Sequence, residues 1–556
     1  MADAAFTRSS RKPPNTLSVG PLSVRTRSAG LMLAAVACVA TSAYGPAQAQ
    51  VQVQPLAPPD LFSVSSGPSD LPPELWQGSS PALARTVIPM LGQAPLSPAA
   101  ARLAHHVLSA GANGPEGAGD DAGLAAARAD VLLQLGDVAA AQAIADQTPD
   151  LAQKTAMSQV AAETALIQGQ EDKACAIGDA LVGGRDGAFW LRLRAYCQVR
   201  AGQAPAAQLT FDLAEQQGKD GGYDRLMTGL LAGTDAGAPV LDNGLDVAVS
   251  RKAATGDWTP ALATASAPVA IAIARDTAAS PTARLAAASR AARFGAPVTD
   301  AYGAVSPIPA DVATADQPGP AGEAGLVALA NTATDFTIKQ AAVVALLKRA
   351  GDMSEFQALA RLAVPAIDQL VAAKAVLDRP TLFAIAAAAA GDASAATAAR
   401  AEVGQGAAPP SPLDLALLDA LIGALSGPPQ GAAVDALDGA STGADGPAHA
   451  RAGAAMAYLA ALGAPVSAQA RFDLAFRDLG SSAAPAGRLI ALDLSARAGR
   501  MGDVALYVLL TATEAKGKAL APADMAACIR ALDQAGLKAD ARAFAIEGLL
   551  AQQSRP

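Results

Sequence analysis

Two stretches decide how this 556-residue chain reads: Gly202-Gln-Ala-Pro-Ala-Ala207-Gln-Leu-Thr-Phe211-Asp-Leu-Ala214 and Gly463-Ala-Pro-Val-Ser-Ala468-Gln-Ala-Arg-Phe472-Asp-Leu-Ala475. They share seven of 13 positions. In each, a glycine stops one apolar run, and two alanines and a phenylalanine follow at offsets that lie on one helix face. The punctuation recurs upstream, so that Gly136, Gly169 and Gly202 stand 33 residues apart. This predicts first helices over 121–135, 151–168 and 188–201, and second helices over 137–147, 170–182 and 203–217. A period of about 33–34 residues with two helices per unit is the mark of an α-solenoid. One helix pair cannot hide its apolar face alone, whereas stacked pairs bury a continuous core.

Composition agrees. Alanine supplies 145 residues, 51% of the chain is hydrophobic, and only 16% is charged, which excludes a typical disordered chain. Glycine has no three-residue period, so the chain is not collagen-like. A net charge of −9 argues against a nucleic-acid partner. Hardly any stretch alternates with period two, so strands are not expected.

These units resemble the tetratricopeptide repeat. That family places glycine at the turn between its two helices and alanine five residues later, then an aromatic four further on and another alanine three after that. Gly202, Ala207, Phe211 and Ala214 fit, as do Gly463, Ala468, Phe472 and Ala475. Gly136 with Ala141, Gly169 with Ala174, Gly391 with Ala396, and Gly536 with Ala541 carry the glycine–alanine half. The family's first-helix tryptophan position holds Ala125 and Leu191, and its small first-helix position holds Met456 in the late unit. Gly351 and Gly502 are followed five residues on by Phe356 and Tyr507, which breaks the pattern. The resemblance covers about 120–217 and 449–555. It implies an all-α solenoid of antiparallel helix pairs in which these residues set repeat packing, and it names no ligand.

The first 28 residues carry Arg8, Arg11, Lys12, Arg25 and Arg27 against Asp3. A short apolar run, Leu31–Ala40, and Ala47-Gln-Ala49 follow, the order of a secretory signal peptide. Cleavage after Ala49 takes the net charge from −9 to −13. A lipid anchor on Cys38 is the weaker reading, because Ala35-Val36-Ala37 lacks the leucine of a bacterial lipobox. The expected organisation is a signal peptide at 1–49, a Pro/Ser-rich flexible arm at 50–99 and a helical array at 100–302. A linker at 303–323, a middle helical region at 324–447 with Pro/Gly-rich breaks at 402–412 and 426–447, and a last array at 448–556 complete it. A periplasmic protein with no membrane-spanning segment after cleavage is expected.

Chemistry is sparse. Cys175 and Cys197 flank Gly183-Gly-Arg-Asp-Gly187 at similar distances, as partners across a helix hairpin would. An oxidising compartment favours a bridge, and two small buried thiols are the alternative. Adjacent His105 and His106 point about 100° apart on a helix, so neither they nor lone His449 predict a metal site. Gly439-Ala-Ser441-Thr-Gly443 matches a nucleophile elbow without the strand that such an elbow needs. No cofactor motif occurs. Arg185, Arg192, Arg194 and Arg200 form a basic cluster open to an acidic partner or to plain solvation. The expected function is a non-enzymatic scaffold for protein partners in the bacterial cell envelope. A cell-wall hydrolase built on the array and a structural spacer are the alternatives.

Overall fold

The computed structural model describes residues 60–64, 69–296, 302, 307–404 and 410–554. The signal peptide, Cys38 and the first ten residues of the arm lie outside them. Among the described residues the chain forms 27 helices and no strand, so the fold is all-α. None of these helices is long and apolar enough to cross a membrane.

The repeat punctuation produces local helix pairs. Ala122–Gln134 pairs with Val138–Asp146, Thr155–Ile167 with Glu171–Ala180, and Ala188–Arg200 with Ala204–Gln217. Gly136 ends the first of these helices at φ 91°, and Asp137 then caps the next by accepting the Ala140 N–H at 2.9 Å. Pro522–Gln534 and Lys538–Ala551 repeat the arrangement around Gly536. Cys175 and Cys197 form a disulfide, with Cα atoms 5.8 Å apart, that staples Glu171–Ala180 to Ala188–Arg200.

Two apolar cores result. The larger runs from Leu61 to Leu550, and the smaller lies between Ala162 and Ala253. The Thr155–Ile167 helix serves both: Val160 and Ile167 face the first core, and Ala162, Ala165 and Leu166 face the second.

The chain's first described helices rest on its last. Pro81–Leu91 and Pro98–Ser109 pack on Met501–Glu514, and Pro98–Ser109 also packs on Lys538–Ala551. The Gly502 N–H donates to Leu75 O at 3.0 Å, and a Cβ at Gly502 would meet Trp76 and Ser79 at 2.5 Å. Gly502 departs from the repeat pattern because it is a contact glycine inside a helix, not a turn. Asp503 accepts the Ser80 N–H at 3.0 Å and Glu547 accepts the Ala99 N–H at 2.8 Å, so carboxylates from the last helices satisfy N–H groups at the starts of the first two.

Three expected boundaries are corrected. The arm at 50–99 is packed where it is described: Trp76 is 1% exposed, and Pro81–Leu91 is helical. Ser80 and Ser97 cap helices whose first residues are Pro81 and Pro98, so these prolines start structure instead of preventing it. Arg128, buried to 1%, donates to the carbonyls of Leu61, Val64, Leu108 and Ala110 and thereby anchors the arm. The linker at 303–323 contains Val312–Ala315 and the start of Gly319–Thr332, where buried Glu323 binds Arg293 across it. The break at 426–447 holds the Gly431–Ala440 helix. The described residues form one compact unit, because the larger core continues through every expected array.

Candidate functional site

A groove of about 980 Å³ lies where four helices end. Leu135, Gln168, Asp276 and Phe294 are the residues that terminate Ala122–Gln134, Thr155–Ile167, Ala267–Arg275 and Pro281–Arg293, and all four line it. Helix C-termini carry partial negative charge, and Arg251 and Arg275 among the lining residues complement it. Gly136 forms part of the wall, and a Cβ there would meet Ile271 Cδ1 at 2.6 Å.

Three kinds of surface meet in the groove. Val138, Ile167, Ile271 and Phe294 are apolar, and Phe294 remains 43% exposed. Gln168 Nε2 donates to Gln142 Oε1 at 2.8 Å, and Gln170 lies beside them. His105 pairs with Asp137 at 2.8 Å, and Arg251 with Asp276 at 3.0 Å. The His105 bond holds the Asp137 carboxyl below its usual pKa. Amides, balanced ion pairs and apolar patches suit a polypeptide segment, which brings its own amides and side chains.

Few of the residues expected from the sequence belong to this groove. Gly136 and Gly169 line it. Ala141, Ala174, Ala207, Ala214 and Ala541 are buried at 1% exposure or less, and Phe211 is buried against Tyr223. Ala468 and Ala475 are exposed, and Phe472 is 61% exposed, so the late unit does not use these residues for packing. The physical reason is that the chain beyond this short helix does not return to cover it: Ala486–Arg497 packs on Met501–Glu514 and Pro522–Gln534 instead.

The arginine cluster is largely engaged within the chain. Arg192 pairs with Asp220 at 3.3 Å and donates to Gly218 O, and Arg200 binds Glu171 and Asp172 at 2.8 and 2.9 Å. Arg194 donates to the Arg185 carbonyl at 3.2 Å, and the Arg185 side chain is exposed. Ser441 is fully buried, donates to Asp438 O at 2.8 Å and accepts from Arg477 Nη2 at 2.7 Å, which makes it part of a structural junction. His106 lies between Asp540 and Asp70 at 2.8 Å each, and these bonds push its pKa up to about 9 against the effect of burial. Cys528 is buried, which pushes its thiol up to about 12. Among the described residues no group of three or more His, Cys, Asp or Glu side chains converges on a metal position.

The chain matches no protein-family model, no curated protein and no solved structure.

Proposed function

We propose that this chain is an exported, non-enzymatic scaffold of tetratricopeptide-like helix pairs that holds a polypeptide segment of a cell-envelope partner in the groove at the helix ends. The observation that carries this reading is the lining: exposed Phe294 beside Ile271, with Gln142, Gln168 and Gln170 offering amide hydrogen bonds. The Cys175–Cys197 bridge and the basic, apolar, Ala-x-Ala order of the first 49 residues support export to an oxidising compartment. Binding requires no covalent step, and affinity would come from buried apolar contact with ordered amide pairing.

Cross-linking in the periplasm followed by affinity capture tests the reading, with Phe294→Ser as the comparison. A polypeptide recovered with the native chain and lost with the variant supports it. Hydrolysis of cell-wall fragments by the purified chain, with no cross-linked partner, would replace it by the hydrolase alternative.

A further inference from the structure

A second cavity, about 540 Å³, is lined by Arg290, Arg293, Arg349, Glu323 and Glu355, none of which lines the first groove. Most of these charges are already matched. Buried Glu323 receives Arg293 at 3.1 and 2.7 Å and the Tyr302 hydroxyl at 2.6 Å. Arg349 binds Asp316 at 2.8 Å and donates to Gln317 O and Gly319 O, which ties the preceding turn to the Gly319–Thr332 helix. Glu355 accepts the Gly351 N–H at 2.7 Å while its own N–H binds Asp352 at 2.8 Å, a reciprocal cap on Met353–Ala372.

Arg290 differs. Its Nε donates to Ala265 O at 2.9 Å, and its guanidinium stacks 4.6 Å from the centre of the Phe294 ring, which fixes its plane. Its two terminal nitrogens have no hydrogen-bond partner among the described residues. Burial and the neighbouring Arg293 charge press its pKa below the usual arginine value. Gly319 and Pro320, at the start of the 14-residue Gly319–Thr332 helix, line the same cavity, and no side chain caps that helix. Its N-terminus adds positive potential.

We infer that this cavity binds a carboxylate, gripped through both oxygens by the terminal nitrogens of Arg290 and favoured by the start of the Gly319–Thr332 helix. Arg293 and Arg349 are bound to Glu323 and Asp316, so among the described residues Arg290 is the one lining arginine with no bonded carboxylate, and a single open guanidinium suits a monoanion better than a phosphate dianion. The planar guanidinium fork matches two coplanar oxygens. Ala263, Ala286 and Pro320 offer an apolar wall to the carbon beside the carboxylate. The ligand class is a short aliphatic acid or the C-terminal carboxylate of a peptide. The two cavities share no lining residue, but the Phe294 ring that lines the groove also stacks on Arg290, so Arg290→Gln and not Phe294→Ser reports on this site.

Isothermal titration of the full chain tests it, with N-acetylalanine, its amide, butyrate, acetyl-dialanine and inorganic phosphate as probes. Saturable, salt-sensitive binding of N-acetylalanine is expected, weakened at least about tenfold for the amide and for Arg290→Gln. Arg284→Gln, on the same helix but outside the cavity, should bind like the native chain. Tighter binding of acetyl-dialanine than of butyrate assigns the carboxylate to a peptide end, and the reverse assigns it to a free acid. Circular dichroism checks the fold of Arg290→Gln. If that variant unfolds, Arg290→Lys replaces it, keeping the charge without the fork, and should bind N-acetylalanine about fivefold more weakly or worse. Absence of saturable binding at millimolar N-acetylalanine overturns the inference, as do equal binding by the amide or by the variant and tighter binding of phosphate.

Discussion

In the segment 202–214, Ala207, Phe211 and Ala214 are each at most 4% exposed. In the segment 463–475, which shares seven of its 13 residues, Phe472 is 61% exposed and Ala468 and Ala475 face outward. The covering element makes the difference. Gly221–Ala232 brings Tyr223 to 6.2 Å from Phe211 between ring centres. Beyond 463–475 no such helix arrives, and Phe472 meets Phe476, itself 77% exposed, at 5.0 Å. The late segment is anchored by a buried polar group instead: Arg477 binds Asp438, Ser441 and the His449 carbonyl. A repeat motif therefore fixes a helix turn and a potential contact stripe, and the following helix decides whether that stripe becomes core.

The sharpest way to break this comparison is at the two phenylalanines. Phe211→Ala should lower unfolding free energy by about 3–5 kcal/mol in urea titrations, since it empties a packed position. Arg477→Ala should cost about 3 kcal/mol in the same titration by leaving half-buried Asp438 and buried Ser441 without their partner. Replacing Cys175 and Cys197 by serine should remove roughly 3 kcal/mol, read as earlier unfolding of the smaller core by hydrogen exchange.

Acidity separates the two regions further. Burial pushes Glu163 and Asp246, beside the smaller core, up to about 7. A carboxyl whose folded pKa is raised contributes stability that is complete below the unfolded value, near 4, and is lost as pH rises through about 7. The melting temperature should fall between pH 5 and pH 8, and Glu163→Gln should flatten that fall. At the junction of the chain's two ends, protonated His106 contributes stability that persists past neutrality and is lost as pH rises through about 9. The smallest effect belongs to Phe472→Ala, which should change unfolding free energy by no more than about 0.5 kcal/mol. A loss as large as that of Phe211→Ala would mean that something covers the late segment in solution.

The sequence made the helix pairs and the cysteine pairing readable because both depend on neighbours a few turns apart. The helices at 81–91 and 98–109 also carried a readable signal, serine followed by proline, which the surrounding prolines obscured. Arg128 gave no local sign, since its four carbonyl partners come from two separate stretches of chain, 61–64 and 108–110. The groove was illegible for a related reason. Its lining comes from helix ends spread between Leu135 and Phe294, and their convergence exists only in three dimensions. Arg290 looked like any helical arginine until the carbonyl of Ala265 and the ring of Phe294 fixed its orientation.

The contact at Gly502 constrains the order of biosynthesis. Ser80 lies 423 residues ahead of its partner Asp503, so at ribosomal speeds the first helices wait roughly 20–80 s for their permanent neighbours. Throughout that interval Trp76 lacks its final cover, and the nascent polypeptide remains an incomplete body. Truncation before residue 501 would freeze the chain in that unfinished condition.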